Sequence, residues 1–77
     1  MNRRMATSAR EYDRIRTVLA EADADERLTA REILQLLEAR GEGFESAHRV
    51  ATVLGRRARD GDVQVIQSSP YRYQLET

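Results

Sequence analysis

The feature that most constrains this chain is the change of hydrophobic period at Asp62. Before it, apolar residues recur every three or four positions; after it, they alternate. Asp62-Val63-Gln64-Val65-Ile66-Gln67 is rich in β-branched residues and predicts a strand. Ser68-Ser69-Pro70 is a turn, and Tyr71-Arg72-Tyr73-Gln74-Leu75 alternates again, so the C-terminal segment predicts a hairpin. Pro70 belongs at its tip or at the first residue of the return strand, where a missing N–H is tolerated.

Upstream, the punctuation is that of three short helices. Ser8-Ala9-Arg10-Glu11 fits a capping box, and Tyr12, Ile15, Val18, Leu19 and Ala22 follow at helical spacing, predicting a first helix over residues 9–22. Residues 1–7 are polar and Arg-bearing and are expected to form a disordered arm. Ala22-Asp23-Ala24-Asp25-Glu26 breaks the pattern. Arg27 and Leu28 fall where a calcium loop needs a ligand and a glycine, so the segment is expected to be a solvated connector. Thr29-Ala30-Arg31-Glu32 is a second box, and Ile33, Leu34, Leu36 and Leu37 carry the second helix to about Arg40. Gly41 is suited to the left-handed conformation that closes it. After a tight turn anchored by Phe44, Ser46 caps a third helix (46–60) with Val50, Val53 and Leu54 as its buried stripe, and Gly61 ends it. Gly55 lies inside this helix at a cost of about 1 kcal/mol relative to Ala. It permits close approach either of a neighbouring helix or of a ligand backbone. With residues 27–29 as a short extra strand, the order is helix, short strand, helix, helix, strand, strand. The class is mostly α with a small β-hairpin (α+β), in one domain over residues 8–77.

Size and composition then exclude several functions. A chain of 77 residues buries only about 60% of its unfolded surface, too little for a deep enclosed pocket. With no Cys and a single histidine, His48, there is no disulfide framework, thiol chemistry or zinc set. No glycine-rich phosphate loop is present, and the one Ser near a His, Ser46, sits at a capping position. No enzymatic role, metal, cofactor or small-molecule ligand is therefore expected. No apolar run reaches the roughly 18 residues of a membrane span and no signal region is visible, so a cytoplasmic protein with no membrane partner is expected.

The net charge of zero hides a polarity. Residues 1–16 carry five Arg against two acids, residues 17–45 three Arg against eight acids, and residues 46–77 five Arg against three acids. All 13 basic residues are Arg, which suits phosphates and guanine edges, although genomic codon bias explains the missing lysines equally well.

Three capped helices followed by a hairpin resemble the winged-helix form of the helix-turn-helix, over nearly the whole chain. The segments that carry the resemblance are Leu28-Thr29-Ala30-Arg31-Glu32-Ile33-Leu34 and residues 50–63, where a basic residue, an acid and a glycine lead directly into the wing. Residues 48–56 with Pro70-Tyr71-Arg72-Tyr73 also look like small winged-helix proteins of haloarchaea. One departure is the connection from Gly41 to Glu45, longer than a strict helix-turn-helix turn.

The resemblance implies a double-stranded-DNA-binding protein, a transcriptional regulator or chromosome-associated factor placed on the nucleoid. The third helix would enter the major groove. Ser46, His48, Arg49, Thr52 and Arg56 are then the candidate base contacts, because Arg can grip guanine with two hydrogen bonds and Thr can touch a base edge. Arg57, Arg59, Ser68, Ser69 and Arg72 are the candidate backbone contacts. One small module makes few phosphate contacts, so a homodimer or protein partner is expected. In a salt-loving source, base and shape readout would carry more of the affinity.

Each residue also has a plainer role. Ser46 caps a helix whatever else it does, and the Arg residues could be an ordinary solvated face. The Arg57 stem could cover the core edge, and Tyr71 and Tyr73 are expected to pack the hairpin onto the helices rather than stack on bases. The rival function is a protein-interaction adaptor of the same fold, using its acidic middle and the Tyr71/Tyr73 strand edge. What separates the two is whether Arg49, Arg56, Arg57, Arg59 and Arg72 form one continuous face.

Overall fold

A computed structural model describes the backbone of residues 3–22 and 27–76, with side chains from Ala9 onward. Six elements follow in order: α1 (Arg3–Glu21), β1 (Leu28–Thr29), α2 (Ala30–Ala39), α3 (Ala47–Arg59), β2 (Val63–Ile66) and β3 (Arg72–Leu75). The result is an α+β fold of three helices and a three-stranded antiparallel sheet of order β1-β3-β2. The acidic connector at residues 23–26, together with Met1, Asn2 and Thr77, lies outside the described residues.

The first helix corrects the sequence reading at its start. It begins at Arg3, so residues 3–7 are helical rather than an irregular arm, and Ser8 lies inside the helix instead of capping it. Arg3, Arg4, Met5 and Ala6 are all good helix formers with no breaker among them, so nothing in the local chemistry stops the helix at Ser8.

The other caps form as the chain chemistry dictates. The Thr29 hydroxyl accepts the Glu32 N–H at 3.1 Å, and the Glu32 carboxylate accepts the Thr29 N–H at 2.9 Å. That backbone N–H, with the Arg72 guanidinium nearby, holds the Glu32 carboxyl below its ordinary value. Ser46 accepts the Arg49 N–H at 3.2 Å. Both α2 and α3 end in the same way. Gly41 N–H reaches Glu38 O and Glu42 N–H reaches Leu37 O, while Gly61 N–H reaches Ala58 O and Asp62 N–H reaches Arg57 O. This double hydrogen bond needs a residue at positive φ after the cap, and Gly41 (φ 76°) and Gly61 (φ 84°) supply it.

The core draws on every layer: Tyr12, Ile15, Val18 and Leu19 from α1, Ile33 and Leu37 from α2, Val50, Val53 and Leu54 from α3, Val63 and Tyr73 from the hairpin. In the hairpin, Val63 pairs with Leu75 and Val65 with Tyr73, which puts the apolar side chains on the face turned to the helices. Leu28 pairs with Tyr73 on the other side, so β1 leads straight into the α2 cap and ties the start of α2 to the sheet. Tyr73 is buried as expected. Tyr71 is not: it is 49% exposed and does not pack the hairpin onto the helices.

Candidate functional site

The five Arg residues whose common face would separate the two readings are sorted by the fold into distinct groups. Arg49 turns toward α1 rather than outward. Its Nε donates to both Glu11 carboxylate oxygens at 3.1 Å, and its Nη2 donates to Oε1 of the same group. The Glu11 carboxylate raises the Arg49 guanidinium above its ordinary value, chiefly through these hydrogen bonds. Arg57, two turns along α3, lies with its guanidinium carbon 4.5 Å from the centre of the Tyr12 ring and its Nη1 3.4 Å from Asp62. Burial, reinforced by the Asp62 charge, pushes the Tyr12 phenol above its ordinary value. Two adjacent α1 residues, Glu11 and Tyr12, thus hold two α3 arginines.

Arg72 is anchored at the opposite side of the sheet. Its Nη1 donates to the Arg27 carbonyl at 3.2 Å and lies 3.8 Å from the Glu32 carboxylate. The hairpin turn is exposed. Ser68 Oγ donates to the Pro70 carbonyl at 2.8 Å, closing the turn, while Ser69 points to solvent. Ser46 is half-buried in its capping role.

What remains is one stripe along the outer side of α3: His48, Thr52, Arg56 and Arg59, with Gly55 between them. These positions recur at intervals of three and four and so share a face. His48, Arg56 and Arg59 are exposed, and neither Arg has an ion-pair partner among the described residues. Thr52 is half-buried, and its hydroxyl donates to the His48 carbonyl at 3.0 Å. The positive charge of the stripe therefore lies in the C-terminal half of α3, and the N-terminal half offers His48 and Thr52. One continuous face of Arg49, Arg56, Arg57, Arg59 and Arg72, the feature that separates DNA binding from protein docking, does not form, and only the shorter stripe of His48, Thr52, Arg56 and Arg59 remains.

Two further features escaped the sequence reading. Arg31, on the first turn of α2, is exposed and unpaired among the described residues. It lines a groove of about 310 Å³ with Ala30, Ala47, Pro70, Tyr71 and Tyr73. Glu11, read as part of a cap, is instead an anchor for α3. No spacing rule reports such a partnership, because Glu11 and Arg49 lie far apart in the chain and meet only when α1 crosses α3.

Among the described residues no cluster of acidic or histidine side chains could hold a metal ion, and no helix is long and apolar enough to cross a membrane. No family model matches the chain, and neither a curated protein nor a solved structure does.

Proposed function

We propose that this chain is a small winged-helix protein that binds double-stranded DNA, with α3 in the major groove and the β2–β3 hairpin as the wing. The observation that carries the reading is the outer stripe of α3, on which Arg56 and Arg59 are exposed and have no ion-pair partner among the described residues, beside His48 and Thr52. An exposed Arg already held by an acid must give that partner up before it grips phosphate or guanine. An unpaired one pays no such cost. The strand order β1-β3-β2, with the short strand leading into α2, supports the winged-helix assignment.

On this reading Arg56 and Arg59 supply the charge, and His48 and Thr52 meet base edges. Arg49 and Arg57 act as positioning residues that fix the angle of α3 on α1. Ser68 and Ser69 bring the wing to the backbone, and Arg72 reaches it only by giving up Glu32. The function is that of a transcriptional regulator or chromosome-associated factor, helped by a second copy or a protein partner.

Fluorescence anisotropy with a mixed-sequence duplex over a salt series tests this. Wild type is expected to bind at low salt, and Arg56→Ala/Arg59→Ala to bind more weakly with a log–log salt slope lower by about 2. Absence of binding at low salt, or a double variant that binds as wild type does, overturns the reading. Light scattering at high concentration tests the homodimer, which a clean monomer mass removes.

A second reading, a protein-docking adaptor, is favoured by one observation: the exposed Tyr71 beside Arg31, which has no ion-pair partner among the described residues, in the groove between the start of α2 and the hairpin. An NMR titration with duplex separates the two. The DNA reading requires the largest shifts at Thr52, Arg56 and Arg59, and the adaptor reading requires that these amides stay unmoved.

A further inference from the structure

Tyr71 is the one large apolar side chain left exposed among the described residues. A single exposed apolar residue on a flat surface needs no explanation. Tyr71 differs because it stands in a concavity. It walls the groove of about 310 Å³ together with Pro70 and Tyr73 of the hairpin, Ala30 and Arg31 of the first turn of α2, and Ala47 at the start of α3.

This groove has a sign as well as a shape. Arg31 is exposed, and no carboxylate among the described residues pairs with it. The adjacent acid, Glu32, is committed elsewhere: its carboxylate accepts the Thr29 N–H and lies 3.8 Å from Arg72. Ala30 and Ala47 are the first residues of α2 and α3, so the positive ends of both helix dipoles add to the charge of Arg31. No acidic side chain among the described residues lines the groove. A second groove, between α1 and the end of α2, lacks this property. Its two arginines are paired within it, Arg14 with Glu42 and Arg40 with Glu21.

We infer that the groove at Tyr71 is a docking site for an acidic peptide segment of another protein. An apolar side chain of that segment seats between Tyr71, Pro70 and the two alanines, and a carboxylate beside it pairs with Arg31. Duplex DNA meets only half of this description. Its phosphates suit Arg31, but its backbone carries no apolar side chain to lay against the tyrosine and the proline. The groove holds one anchor residue, so a single motif binds weakly. The inference rests on the protein-docking reading and gives its partner a chemistry. It is independent of DNA binding, because none of the groove residues belongs to the outer stripe of α3.

The test is an NMR titration of the whole chain with a blocked hexapeptide that carries a leucine between two aspartates. The amides of Ala30, Arg31, Ala47 and Tyr71 should shift, with a dissociation constant below about 1 mM. Replacing the aspartates by asparagines, or the leucine by glycine, should weaken binding about ten-fold, as should Tyr71→Ala in the protein. Arg31→Glu keeps α2 folded, because an acid is favoured in a first turn. That variant should lose the aspartate peptide and take up one with lysines in place of the aspartates, with no loss of melting temperature. Absence of shifts at about 1 mM peptide overturns the inference, and so does an asparagine peptide that binds as tightly. Shifts of the same four amides on dilution of the protein alone replace the peptide with a second copy of this chain. Shifts of these amides with duplex assign the groove to DNA instead. The DNA reading is judged separately, at Thr52, Arg56 and Arg59, so either can fail while the other stands.

Discussion

The arginines of α3 are one residue type used in opposite ways. On the side facing α1, Arg49 and Arg57 are half-buried and bound, one to the Glu11 carboxylate and the other over the Tyr12 ring beside Asp62. On the outer side, Arg56 and Arg59 are exposed and bound to nothing among the described residues. Arg56 and Arg57 are adjacent in the chain, yet the helical turn between neighbours is enough to give one a structural partner and leave the other open. Counting arginines thus overstates a binding surface. What matters is which of them have already spent their hydrogen bonds within the fold.

This contrast can be broken or sharpened by stability measurements, taken in descending order of effect. The apolar centre of the inner face sets the upper end. Leu54 is fully buried, and Leu54→Ala should cost about 2–5 kcal/mol in urea unfolding, enough to threaten folding of a domain this size. The inner arginines come next. Arg49→Ala should cost about 1–2 kcal/mol, between a solvated ion pair and a fully buried one, and Glu11→Gln should cost a similar amount. A double-mutant cycle between these two positions that returns no coupling breaks the claim that Glu11 anchors α3.

Smaller again is the effect at Glu32, which shows that exposure alone does not sort the two kinds of residue, since Glu32 is exposed and still engaged in its cap. Its carboxyl is held below the ordinary value of 4.5, chiefly by the Thr29 N–H, so the folded state favours the ionised form. The stability this supplies is fully present above the unfolded-state value and is lost as pH falls through the lower folded-state value. Wild type should therefore be more stable than Glu32→Gln at neutral pH, with the gap closing in acid. A gap that does not change with pH sinks this assignment. Last, Arg56→Ala/Arg59→Ala should change stability by no more than about 0.5 kcal/mol. If it destabilises as much as Arg49→Ala does, the two sides of α3 are not different in kind.

Much of the architecture was legible because it is written in short-range chemistry. The Thr29 and Ser46 caps, the glycines that end α2 and α3, the period change at Asp62 and the core residues Ile33, Leu37, Val50, Val53 and Leu54 all follow from local backbone requirements. The start of α1 was misread because Ser8 satisfies a capping pattern that the helix does not use. The site was legible only in part. Spacing along α3 gives the outward positions His48, Thr52, Arg56 and Arg59, but it also assigns Arg49 to them. Tyr71 resembles Tyr73 in the alternation of its strand and differs from it by being exposed.

What the sequence by itself determined, then, is the order and ends of the helices, the hairpin and the apolar stripes, because caps, turns and periodicity act within a few residues. Tertiary structure alone decided which charges are available. Pairing of Arg49 with Glu11, of Arg57 with Tyr12 and of Arg72 with Glu32 depends on helices and strands meeting across long stretches of chain. Hydrogen bonds form only at contact distance, and attraction between solvated charges is screened beyond about 10 Å, so these partnerships exist only once packing has brought the elements together. The arginines of Arg56 and Arg59 are open for the same reason: no element of the described fold comes to meet them.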